Sequence, residues 1–240
     1  MIAYEFRWSV LWQQPYGSWM LEGIWTTIQL GFISWVFALS IGILIGTCRV
    51  TPWKLLRACA TAYTEFFRDI PLLVQLFFWY FAAPGILPAS LEQYLYREVA
   101  NVEFWIVVIA LSIYTSSRVA EQIRSGLQSI PVDQFHAALS TGLTYFQMYR
   151  YVTIPLAIRI MIPPLTTEFL TTFKNTSLAM TVGVLEATFM SQQIEAYTFR
   201  GLEATTAACL VYLAITMIVI LFMGLVEKRL SIPGFIARNR

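Results

Sequence analysis

The sequence predicts an all-α membrane protein with about five transmembrane helices, its N-terminus outside and its C-terminus inside. Three observations carry this reading. Of the 240 residues, 58% are hydrophobic and only 12% charged, whereas soluble domains carry about a quarter charged residues; a bilayer accepts the apolar outer faces that water would not. Several stretches reach the roughly 20 apolar residues that a helix needs to cross a ~30 Å hydrocarbon core. The basic residues also segregate between alternate loops.

The first span falls at about 24–47 and is free of charge. The second, about 58–83, is apolar but contains Glu65, Arg68 and Asp69. The third, about 104–117, is short and is expected to continue as a helix towards Gln128. The fourth, about 159–184, contains Glu168 and Lys174, and the fifth, about 205–226, is again uncharged.

Cytoplasmic loops retain Lys and Arg because translocating basic flanks is disfavoured. Arg49, Lys54 and Arg57 follow the first span, Arg118, Arg124, Arg150 and Arg159 border the third loop, and Lys228, Arg229, Arg238 and Arg240 occupy the tail. These belong inside. The opposite side holds Arg7, Arg97 and Arg200 beside acidic Glu92, Glu98, Glu103, Glu186, Glu195 and Glu203. Trp8, Trp12 and Trp19 precede the first span, and amphipathic rings favour the interfacial layer, so residues 1–23 are expected to lie along the outer surface, in contact with membrane lipid. The whole chain, 1–240, reads as a single transmembrane domain.

Other classes recede. The net charge is +2 with scattered basic residues, so no stripe invites nucleic acid. Cys48, Cys59 and Cys209 are odd in number and lack metal-ligand spacing, so neither a disulfide framework nor a metal site follows. One histidine and no Gly-x-Ser-x-Gly elbow make a membrane enzyme a weak reading. A secondary transporter or channel driven by ion gradients is the alternative; it lacks the paired interrupted segments such folds use.

The segment 125–158 is too polar to span and too patterned to be slack. Pro131 suits the first turn of a helix and Gly142 the left-handed position that ends one, so a short helix is expected over 131–141. Thr144 and Gln147 have the spacing of a capping box, which starts a second helix expected to stop before Pro155. His136, Ala137, Ala138, then Gly142, then Val152-Thr153-Ile154-Pro155 reproduce throughout the spacing of the loop that begins Glu-Ala-Ala in importer permeases of the ATP-binding-cassette superfamily. His136 stands where that pattern has Glu, which places any ion pair of that Glu in doubt.

The resemblance extends along the chain. Glu65-Phe66-Phe67-Arg68-Asp69-Ile70-Pro71-Leu72-Leu73-Val74-Gln75 and Lys174-Asn175-Thr176-Ser177-Leu178 are similar to segments of the polar amino-acid permeases, the histidine, glutamine and glutamate family. It implies an importer-permease (MetI-like) bundle in a bacterial inner membrane, moving a polar amino acid, glutamate or aspartate first among the choices. It further implies two ATP-binding subunits docked on His136, Ala137, Ala138, Gly142, Ile154 and Pro155, a second permease subunit, related or identical, and an external solute-binding protein. The chain has no GxxxxGK[ST] phosphate cradle, so no cofactor is expected in it, and ATP and Mg belong to the partner ATPase.

Charged side chains within a bilayer face the bundle interior or a wet cavity. Glu65, Arg68 and Asp69 share one helical face at i, i+3 and i+4, just before the helix-perturbing Pro71, and could form a gate. Thr167, Thr171, Lys174 and Ser177 or Leu178 follow at helical spacing. Lys174, Asn175, Thr176 and Ser177, with Arg68, are candidates for the solute path. The competing structural reading pairs Arg68 with Glu65, and either pairs Lys174 with a carboxylate on another helix or lets it snorkel to an interface.

Overall fold

The computed structural model describes residues 4–230. A 3₁₀ turn over Trp8–Trp12 precedes α1 (Tyr16–Cys48), followed by α2 (Lys54–Asp69), α3 (Leu72–Phe77) with a π-turn over Phe78–Ala82, and α4 (Ala89–Glu98). Then come α5 (Val102–Gln128), α6 (Val132–Ser140), α7 (Tyr145–Met148) and a π-turn over Tyr149–Thr153. The chain continues as α8 (Ile154–Asn175), a 3₁₀ stretch over Thr176–Val182, α9 (Ala187–Thr198) and α10 (Gly201–Leu230). No strand occurs among the described residues.

The helices α1, α5 and α10 are long and apolar enough to cross a membrane, in agreement with the first, third and fifth expected spans. α5 reaches Gln128 as expected, while α1 begins earlier than Ile24. The second expected span is corrected. It is two helices, because Ile70 takes φ −89° and ψ 129°; the ring of a following proline disfavours the α region, and Pro71 then caps α3. Only Leu72–Ala82 of this stretch is an apolar helix, and a short one. The fourth stretch also departs, since α8 ends at Asn175 and tightens to 3₁₀ over Thr176–Val182. The expected stripe from Thr167 to Ser177 therefore runs off an α-helix before its end.

The described chain forms two compact units. One comprises the described residues up to Val36 together with Pro71–Ser112 and Thr171–Ile218. Its apolar centre includes Met20, Ile194 and Ala204, packed by Tyr16, Trp19 and Val211. Fully buried Glu203 accepts hydrogen bonds from the Tyr4 hydroxyl and, at 2.8 Å, from the Arg7 N–H. Arg200 lies 3.7 Å from the same carboxylate and donates to the Glu5 carbonyl at 2.8 Å. Residues 4–7 are thus fastened to the start of α10.

The other unit comprises Phe37–Ile70, Ile113–Leu170 and the described residues from Val219. Here α1 and α5 meet at Gly42 and Gly46. A Cβ on Gly42 would lie 2.4 Å from Val119 Cγ1, and one on Gly46 would lie 2.7 Å from the Ala120 carbonyl oxygen. Small residues spaced by four let helix backbones approach this closely. Beyond the contact, Glu121 holds Arg49 and Arg124, each at 2.5 Å, with Arg68 at 3.8 Å. Arg68 therefore pairs with Glu121, not with Glu65. Nearly buried Glu168 accepts from Arg118 at 2.7 and 3.2 Å, and Thr166 donates to Glu227 at 2.9 Å.

Candidate functional site

Two arrangements of functional side chains stand out, one in each unit. In the second unit, α6 and α7 meet at Gly142, whose φ is +85°. A Cβ there would be strained, and glycine removes that cost. The capping box forms as expected, since the Thr144 hydroxyl accepts from the Gln147 N–H at 3.3 Å and the Gln147 side chain accepts from the Thr144 N–H at 2.9 Å. α6 itself spans Val132–Ser140 behind Pro131, close to the expected 131–141.

The second loop helix does not stop before Pro155. It passes through the π-turn into α8, so that the Ile154 N–H donates to Tyr149, five residues back. The wider turn lies immediately before Pro155 and accommodates its missing N–H and its ring. Phe135 packs on Tyr149, with ring centroids 6.4 Å apart, and braces α6 against this continuous helical arm. Ala138 is buried beneath the knob, His136 and Ala137 are exposed, Ile154 is exposed and Pro155 half-buried. The knob also exposes Val132, Tyr145, Phe146, Tyr149 and Tyr151. These aromatic side chains escaped the sequence argument, although Tyr145-Phe146 in an otherwise polar loop was a signal that could have found them.

In the first unit, Lys174 at the end of α8 is exposed and lines a cleft of about 500 Å³ with Ser177, Thr188, Ser191, Thr205 and Tyr212. Among the described ion pairs none involves Lys174, so the expected carboxylate on another helix is not among its described partners. Asn175 is half-buried, and Thr176 is buried with its hydroxyl 3.4 Å from the Tyr212 hydroxyl. The wall behind the cleft is anchored by Glu186, which is fully buried and caps α9 by accepting from the Thr188 and Phe189 N–H groups at 2.8 Å. The Tyr212 hydroxyl donates to the same carboxylate at 2.5 Å and accepts from Thr188 at 3.3 Å. Burial pushes the Glu186 carboxyl above its ordinary value, against these hydrogen bonds that favour the ionised form. Glu186, Thr188, Thr205 and Tyr212 were not singled out from the sequence, where isolated polar residues in apolar surroundings carry no spacing signal.

The gate candidates are dispersed. Glu65 and Asp69 are exposed on α2, and only Arg68 joins a described ion pair, with Glu121. They lie in the second unit, whereas Lys174 and its neighbours lie in the first. No group of three or more His, Cys, Asp or Glu side chains able to hold a metal occurs among the described residues.

Apolar helices long enough to span a membrane, a two-helix knob and a cleft lined by Lys174 fit a membrane permease subunit. The chain belongs to the family described as binding-protein-dependent transport system inner membrane component, matched over residues 38–232, and so to the permeases of ATP-binding-cassette importers that its loop spacing predicted. The glutamate/aspartate import permease protein GltJ of Escherichia coli strain K12 is 34% identical, over 97% of this chain and 98% of its own. The probable glutamine ABC transporter permease protein GlnM of Bacillus subtilis strain 168 is 33% identical, over 89% of this chain and 94% of its own. A crystal structure of an amino acid ABC transporter with histidines superposes with a TM-score of 0.79 at 28% identity, covering 94% of this chain and all of that one.

Proposed function

We propose that this permease subunit carries an acidic amino acid, glutamate or aspartate, into the cytoplasm across a bacterial inner membrane. The observation that carries the proposal is Lys174, an ammonium group with no described carboxylate partner, in a cleft lined by hydroxyl side chains together with apolar Ala208, Cys209 and Leu213. A cation without a counter-charge within a membrane bundle is costly and marks a ligand or ion pathway; a carboxylate cargo supplies that charge, and Ser177, Thr188 and Ser191 offer it hydrogen bonds. The relatives that import glutamate, aspartate and glutamine support an amino-acid cargo.

On this reading the N-terminus is outside and the C-terminus inside, which the distribution of Lys and Arg supports. Two ATP-hydrolysing subunits, which bind ATP and Mg, dock on the knob through His136, Ala137, Ala138, Gly142, Ile154 and Pro155. A second permease chain, identical or related, completes the passage, and an external solute-binding protein delivers the cargo. The motor subunits move the knob, and each state of the bundle is selected by what is bound.

The test is uptake of labelled glutamate into vesicles holding the assembled transporter. Uptake should survive collapse of ion gradients and stop when internal ATP is removed; the reverse pattern would establish the gradient-driven alternative. In the same vesicles Lys174→Met is expected to lower glutamate uptake by about tenfold or more, the effect of losing roughly 1.4 kcal/mol of interaction, with assembly intact. Unchanged uptake by Lys174→Met would refute the assignment of the cleft.

A further inference from the structure

A second cleft in the first unit, of about 580 Å³, has chemistry opposite to that of the Lys174 cleft. Trp19, Glu22, Phe189, Met190, Gln192 and Gln193 line it. Glu22 is exposed on α1, and the described ion pairs of this unit, Arg7 with Glu5 and Arg200 with Glu203, leave it without a cation. The Trp19 ring is held edge-on between Tyr16 and Tyr197, with centroids at 5.6 and 5.4 Å, so it is fixed before any partner arrives. A carboxylate, aromatic rings and two carboxamides, each able to accept a hydrogen bond, suit a compact organic cation, which binds a ring face and a counter-charge at once.

We propose that this cleft receives a lysine or arginine side chain of the external solute-binding protein and is a docking point for it. The inference rests on the proposed function in two ways. An outward-facing first unit leaves Glu22 and the exposed Glu98 and Glu195, which join no described ion pair either, turned to the delivering protein. An acidic amino acid carries two carboxylates for its one ammonium, so its net negative charge is repelled by that rim, whereas a lysine or arginine side chain brings a cation alone. Charges at the rim of an interface act on association and its salt dependence more than on the bound state.

The experiment uses the complete transporter in lipid nanodiscs, with its solute-binding protein as the probe and ATP hydrolysis as the readout. Glu22→Lys is expected to raise the concentration of binding protein giving half-maximal stimulation by about tenfold or more, and Glu22→Gln by a smaller factor, with the maximal rate retained and the dependence on salt weakened. The paired change Gln192→Ala/Gln193→Ala raises it as well, without altering the salt dependence. A Lys→Glu or Arg→Glu change in the binding protein that restores stimulation of Glu22→Lys identifies the inserted residue. Unchanged half-maximal concentrations for Glu22→Lys and the glutamine pair overturn the proposal, and so does a shift confined to the cargo concentration required at saturating binding protein, which would make the cleft a cargo site. If the parent transporter shows no binding-protein-stimulated hydrolysis with acidic amino acids, the proposed function fails first, and that result is separate from either outcome.

Discussion

Arg118→Met is expected to lower the stability of the chain by about 3 kcal/mol, near the lower end of what removing one member of a buried ion pair costs. Glu168 is 4% exposed and takes two hydrogen bonds from the Arg118 guanidinium, which also lies 5.9 Å from the centre of the Tyr114 ring. Removing Arg118 leaves that carboxylate without its guanidinium in surroundings that solvate ions poorly. The half-exposed guanidinium keeps the effect from reaching the upper end of the range. Arg118→Met combined with Glu168→Met replaces the pair by apolar groups and should recover most of the loss, because a missing pair costs far less than half of one. Thermal unfolding midpoints of the purified chains in detergent measure both; a double variant no more stable than Arg118→Met would show that the pair is not the unit of stabilisation.

Gly142→Val should leave the protein in the membrane at ordinary levels and cut ATP-driven uptake by about tenfold or more. At φ +85° a β-branched residue meets the left-handed penalty of about 1–2 kcal/mol and more, and the loop escapes it by changing the angle between α6 and α7. Since Phe135 and Tyr149 fix α6 on the arm that becomes α8, a changed angle misdirects the proposed docking surface without unfolding the helices. Gly142→Asn, which tolerates left-handed backbone better, should retain several times more uptake than Gly142→Val. Equal uptake by the two variants would remove the backbone argument, and retained co-purification of the ATPase with Gly142→Val at full uptake would remove the lever itself.

Much of this was legible because it rests on local chemistry. The knob was visible residue by residue, since Pro131, Gly142 and the Thr144–Gln147 box each answer to a short-range rule about orphan N–H groups or backbone dihedrals. The spans α1, α5 and α10 were visible because length and apolarity alone define them. Hydropathy overran at 58–83, where the stretch stays apolar across Ile70–Pro71 although the backbone cannot stay helical there. The proline rule then misled at Pro155, because a π-turn five residues long absorbs the ring that normally ends a helix. The partners of Glu121 and Glu168 were out of reach for a different reason: Glu121 meets Arg49 across 72 residues of chain and Glu168 meets Arg118 across 50, and no local pattern encodes such pairings. The cleft around Lys174 was half visible. The run Lys174-Asn175-Thr176-Ser177 marked it, but Tyr212 and Glu186 come from elements whose sequence shows only single polar residues.

Gly42 and Gly46 leave no intermediate settings between the two segments they join. A slip of one residue would drive Val119 or Ile123 against a side chain in place of a bare Cα. A slip of four residues, about 6 Å of helical rise, would keep one glycine at a contact but bring Ala38 or Val50 to the other. Steric fit alone therefore holds this joint to one register, a fixed point against which any movement elsewhere in the chain can be measured.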